Sequence, residues 1–211
     1  MRGDISGRLP VERGGIYALV DTPSLKRADI DLASFCGYLD ETGITIAQYR
    51  NKISGDEVVA RELEIMRSHF AGTIIVNDRI EFVRSGEYAD GLHLGQEDLL
   101  RFAANASDAV KSVKMEINGA LLGISTHNLD EILEANTLDI DYIGLGAYRS
   151  SDTKKEAREG GDLLLEYARR STHPVALIGG LRWSDRFGPA IACRVMGGAL
   201  YERYLARAKT Q

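Results

Sequence analysis

Short apolar runs recur along the chain, separated by polar loops and amphipathic stretches. They are Ile16–Val20, Ile44–Tyr49, Thr73–Val76, Gly91–Leu94, Ala120–Ser125, Tyr142–Leu145, Pro174–Ile178 and Arg194–Met196. Most are apolar almost without interruption, as parallel strands covered on both faces should be. Between them, Asp56–Phe70 sets Val59, Leu63 and Met66 near one face of a helix, with Arg61, Glu62, Glu64 and Arg67 around the others. Asn128–Ala135, Asp162–Arg170 and Leu200–Lys209 also carry apolar residues at helical spacing. Eight strand–helix units in a chain of 211 residues predict a single-domain α/β fold, the (β/α)8 TIM barrel. An open doubly wound sheet is the alternative, because local patterns do not show closure. The seventh unit is short: Arg182–Ala192 contains Gly188 and Pro189 and predicts irregular turns in place of a helix. Residues 1–14 are polar and glycine-rich and are expected to form a flexible arm, with the barrel over 15–211.

Composition narrows the function classes. A formal charge of −5 argues against a general nucleic-acid binder. No run is apolar enough to span a membrane. Cys36 and Cys193 make neither a disulfide framework nor a zinc cluster, which fits a cytoplasmic location.

The candidate chemistry lies at the carboxyl ends of the strands, where barrels of this type carry their sites. Arg50, Lys52 and Lys154 are loop cations suited to a polyanion such as a diphosphate. Asp78 and Asp98 are hard oxygen ligands on neighbouring strand ends, and magnesium typically takes one or two carboxylates. Gly179-Gly180 and Gly197-Gly198 expose backbone N–H groups where a phosphate could sit. Each feature has a plainer reading. Asn77 or Asp78 could cap the helix after strand three, and a glycine pair could be only a turn. His93 reads as a satisfied strand histidine, and His127 as either a pocket wall or a proton carrier.

Taken together, the motifs resemble those of the thiamine phosphate synthase family. They are IAQYRNK (Ile46–Lys52), IIVNDR (Ile74–Arg79), ADGLHLGQEDL (Ala89–Leu99), LLGISTHNLDE (Leu121–Glu131), DYIGLGAYRSSDTKK (Asp141–Lys155) and PVALIGGL (Pro174–Leu181). The resemblance implies a pocket for two phosphorylated small molecules. Gln48, Arg50, Lys52, Asn77 and Lys154 would contact a pyrimidine diphosphate, Ser125 its ring, and Asp78 and Asp98 a Mg2+ ion. Ser151, Asp152 and Thr153 would line the thiazole side, and Gly180, Gly197 and Gly198 would receive the thiazole phosphate. The groups acting in the reaction would be Arg50, Lys52, Ser125 and Lys154, and self-association is a family-level expectation. The implied activity is coupling of the two rings with loss of diphosphate. A thiazole tautomerase of the same fold, working through His127, and a non-catalytic phosphate-binding paralogue are the alternatives. The departures fall on the thiazole side. Ala147 and Ser150 stand where relatives often have prolines, and Gly198 where they often have serine. The charged, glycine-ended segment Ser150–Gly160 is expected to close over the substrates.

Overall fold

A computed structural model describes residues 9–150 and 159–209. Its strands are β1 (Gly15–Asp21), β2 (Ile46–Arg50), β3 (Thr73–Asn77), β4 (Gly91–Leu94), β5 (Leu121–Thr126), β6 (Tyr142–Leu145), β7 (Val175–Ile178) and β8 (Cys193–Met196). Every neighbouring pair is parallel, and β8 returns to β1, so the sheet closes in sequence order. The open-sheet alternative is thereby excluded. The helices are α1 (Thr22–Arg27), α2 (Leu32–Glu41), α3 (Asp56–His69), α4 (Glu81–Arg84), α5 (Gln96–Leu99), α6 (Ala106–Ile117), α7 (Leu129–Ala135), α8 (Leu163–Ala168) and α9 (Gly198–Ala208). No helix lies between β7 and β8, as the glycine and proline there predict.

The alternation of side chains along each strand divides the core in two. Ala18, Val20, Ala47, Tyr49, Ile74, Val76, Leu122 and Ile124 join the helices in the larger outer cluster. Tyr17, Leu19, Ile46, Ile75, Leu121, Tyr142, Cys193 and Val195 fill the barrel interior. The same two-residue period carries β2 from Ile46 through Gln48 to Arg50, and β5 from Leu121 through Gly123 to Ser125. Polar groups therefore stack above an apolar floor. Gly123 makes room for that floor: a Cβ there would stand 2.2 Å from Cζ of Tyr142.

The described part of the expected arm, residues 9–14, is anchored across the opposite end of the barrel. Leu9 is buried in the interior cluster. Gly14 N–H donates to Ala192 O at 2.7 Å, and Thr45 Oγ1 donates to Pro10 O at 2.7 Å. These contacts concern residues 9–14 alone, and residues 1–8 of the expected arm lie outside the described residues.

The structure also corrects the polar face assigned to Glu62. On α3 it is buried in the same stripe as Val59, Leu63 and Met66. Its carboxylate accepts from Thr22 Oγ1 (2.8 Å), Lys26 Nζ (2.7 Å), Tyr49 OH (2.8 Å) and Asn51 Nδ2 (2.9 Å). Burial pushes its pKa up, but these four donors outweigh that and leave it below the ordinary value.

Candidate active site

The ends of β2, β3 and β4 form one arc of the rim. Gln48 is buried and donates to Tyr17 OH at 3.2 Å. Arg50 forms a close ion pair with the buried Asp21. After it, Asn51 folds the loop on itself: its Oδ1 accepts from the N–H groups of Ile53 and Ser54, while its Nδ2 reaches Glu62. Arg79 braces the same loop by donating to Ser54 O at 2.6 Å. Lys52, carried on that loop, pairs with Asp78 at 2.7 Å.

Asp78 has φ 65°, in the left-handed region that aspartate tolerates better than most residues, and its N–H donates to His93 O at 2.9 Å. Neither Asn77 nor Asp78 caps α4, whose N-cap residue is Ile80 without a side-chain bond, so the plain capping reading fails. The two aspartates, twenty positions apart in the chain, meet. Burial, and then the charge of the neighbouring Asp78 carboxylate, push the Asp98 carboxyl above its ordinary range. Lys52 and Arg101 pull the other way. Among the described residues no set of three or more His, Cys, Asp or Glu could enclose a metal. The donor set is the carboxylate pair alone, which suits an ion that takes its remaining ligands from water and phosphate. Beside the pair, Asn77 Nδ2 is buried without a hydrogen-bond partner.

A cavity of about 380 Å3 opens at this end of the barrel. Gln48, Arg50, Asn77, Ser125, Gly180, Gly197 and Gly198 line it, whereas Lys52, Asp78 and Asp98 are not among its lining residues. His127 is part of the wall, as one of its two readings has it, and the wall also includes residues that the motifs did not assign: Tyr17, His93, Tyr142, Arg182 and Glu202. Four of the lining groups form a chain of hydrogen bonds. Ser125 Oγ lies 2.9 Å from His93 Nε2, His93 Nδ1 lies 3.1 Å from Tyr142 OH, and Tyr142 OH lies 2.9 Å from Tyr17 OH. Burial raises the pKa of both tyrosines, so each remains a neutral hydroxyl. His93 is satisfied, as a strand histidine should be, and at the same time orients the serine. His127 is exposed on the rim, with Nδ1 2.9 Å from Glu131 Oε2.

On the β6–β8 arc, the glycine pair after β7 is required by close packing. Gly179 and Gly180 have positive φ, and a Cβ on Gly180 would meet Ser150 O at 2.5 Å. Gly198 differs, since an added Cβ there would have nothing within 4 Å. Ser151, Asp152, Thr153 and Lys154, with most of the segment expected to close over the substrates, lie outside the described residues.

The profile of the thiamine monophosphate synthase family matches residues 17–202, nearly the whole barrel. The chain belongs to that family. It is 31% identical over 170 residues to the thiamine-phosphate synthase of Persephonella marina, covering 79% of this chain and 76% of that one. It is 30% identical over 179 residues to the thiamine-phosphate synthase of Geobacillus kaustophilus, covering 81% and 75%. Among solved structures, the thiamine phosphate pyrophosphorylase of Pyrococcus furiosus superposes with a TM-score of 0.66 at 24% identity, over 89% of this chain and 87% of that one. This last likeness bears on the barrel. Family membership makes the chain a transferase of thiamine biosynthesis, as its motifs imply. Among the described residues no helix is long and apolar enough to cross a membrane.

Proposed function

We propose that the chain joins 4-amino-2-methyl-5-(hydroxymethyl)pyrimidine diphosphate to 4-methyl-5-(2-phosphoethyl)thiazole, giving thiamine phosphate and diphosphate. The observation that carries this reading is the meeting of Asp78 and Asp98 beside Lys52, next to a cavity lined by Arg50 and the unpartnered Asn77 amide. Two carboxylates pressed together, one with a raised pKa, gain from a cation between them. Asp78 and Asp98 would hold Mg2+. Bound there, the ion supplies charge neutralisation for the diphosphate as it departs.

The remaining work belongs to side chains. Arg50 and Lys52 draw the diphosphate to the β2 arc, with Lys154 from the loop after β6, and the Asn77 amide donates to it. Ser125, oriented by His93, contacts the pyrimidine, and Gln48 borders the same end of the cavity. The carbon–oxygen bond ionises, with its electron pair leaving on diphosphate. The exocyclic carbon is left as a pyrimidine methide-like cation, supported by the ring amino group. The thiazole nitrogen then donates its lone pair to that carbon, closing the carbon–nitrogen bond. Ser151, Asp152 and Thr153 line the thiazole, and Gly180, Gly197 and Gly198 receive its phosphate. These tasks are electrostatic and positional, and the coupling step needs no protein base. The enzyme would act in the cytoplasm as a homo-oligomer, with no nucleic-acid partner.

Diphosphate release on mixing both substrates tests the reading. Release should require each substrate and Mg2+ and stop with EDTA. No release with both substrates and metal present would overturn it. Rearrangement of a thiazole precursor in its place would support the tautomerase reading.

A further inference from the structure

The loops after β7 and β8 run side by side because Ile178 pairs with Val195. They bring Gly180, Arg182, Gly197 and Gly198 to one stretch of the cavity wall, and Glu202, one turn into α9, joins them. The first turn of α9 has no side-chain cap, and the space over Gly198 is open. Backbone N–H groups there are neutral donors, whereas a phosphate monoester carries close to two negative charges near neutral pH. Glu202 adds a like charge to the same wall.

Arg50 and Arg182 are the only Lys or Arg side chains among the described lining residues. Arg50 belongs to the β2 arc and is paired with Asp21. Nearby Arg149 is committed to Asp185, with contacts of 2.7 and 3.2 Å, and to Gly180 O at 3.1 Å. The Asp185 carboxylate also accepts the backbone N–H of Arg182 at 2.7 Å. This clamp fixes the backbone that carries Arg182. The Arg182 guanidinium has no ion pair or hydrogen bond of its own among the described residues, only a longer-range attraction to Asp185.

We propose that Arg182 is a specificity-determining residue whose guanidinium binds the phosphate of the second substrate and offsets Glu202. The inference rests on the coupling reaction proposed above and adds the charge that the glycines of this arc lack.

Steady-state kinetics of the full chain test it, with the thiazole phosphate, its dephosphorylated alcohol and the pyrimidine diphosphate as varied substrates. Arg182→Ala should raise KM for the thiazole phosphate about tenfold or more, the worth of one charge-assisted hydrogen bond. KM for the alcohol and for the pyrimidine diphosphate should stay within about twofold. Arg182→Lys should recover part of the loss, and Glu202→Gln should lower KM for the phosphorylated substrate alone. An unchanged preference for the phosphate over the alcohol in Arg182→Ala would overturn the assignment. If the unaltered chain releases no diphosphate, the reaction is at fault, and calorimetric binding of the thiazole phosphate decides on Arg182 alone. Weaker binding by Arg182→Ala would then support its role, and equal binding would refute it.

Discussion

Replacing Glu62 by alanine removes the acceptor on which donors from α1, β2 and the Lys52 loop converge. Thr22 and Tyr49 would be left as buried hydroxyls without their acceptor, and Asn51 Nδ2 would lose one of its two acceptors. Lys26, 63% exposed, would return to water at little cost. Hydrogen bonds to a charged group contribute about 1.5–3 kcal/mol each, but within one network they do not add. Removing one partner of a buried charged network costs about 3–5 kcal/mol, and that is the expected destabilisation. In a chain of this size it lowers Tm by about 6–20 °C. Glu62→Gln keeps one acceptor oxygen and should lose about half as much. The pH dependence has a definite sign. A carboxylate whose folded pKa is depressed contributes its stability above the unfolded value of about 4.3 and loses it as pH falls through the folded value. Urea unfolding followed by circular dichroism should therefore show a constant gap between the unaltered chain and Glu62→Gln near neutral pH, closing below about pH 4. A loss under about 1 kcal/mol in Glu62→Ala, or a gap that ignores acid, would refute the account of this hub.

Two further outcomes follow from the site. Asp78→Asn, which removes the charge yet tolerates the left-handed backbone, should cut turnover by about a hundredfold or more. His127→Ala should cost less than about tenfold, so equal losses in single-turnover assays would contradict the electrostatic mechanism. Gly123→Ala drives a methyl group into the Tyr142 ring and should destabilise the barrel by about 1–3 kcal/mol or more, read by thermal melting.

The strands were legible because their apolar runs are nearly unbroken: Gly91–Leu94 and Tyr142–Leu145 stand where the pattern predicts. β2 starts two residues later than its apolar run, since Gly43 turns the chain at φ 71° and Ile44 packs into the outer core. α2 escaped the pattern because Phe35, Gly37 and Tyr38 are poor helix formers, and tertiary packing of Phe35, Cys36 and Leu39 holds it. α6 carries a signal in the sequence, an Asn105 cap with Val110, Val113 and Ile117 at helical spacing. Glu62 misled because charge marks a solvated face by default, and its four partners are scattered along the chain. At the site, local motifs carried the residues of the β2–β4 rim. Tyr17, His93 and Tyr142 join only when the sheet closes, and Arg182 and Glu202 share a wall only because β7 and β8 are neighbours.

Leu9 at the far end of the barrel has a bearing on traffic. Among the described residues the interior is filled beneath Tyr17 and Tyr142, so the doorway lies at the rim, and arrivals and departures share it. A ring seated against Ser125 and His93 would have to leave past whatever occupies the outer arc. A dead-end compound lodged at the doorway would therefore imprison the inner guest, so slow escape would accompany any block on entry.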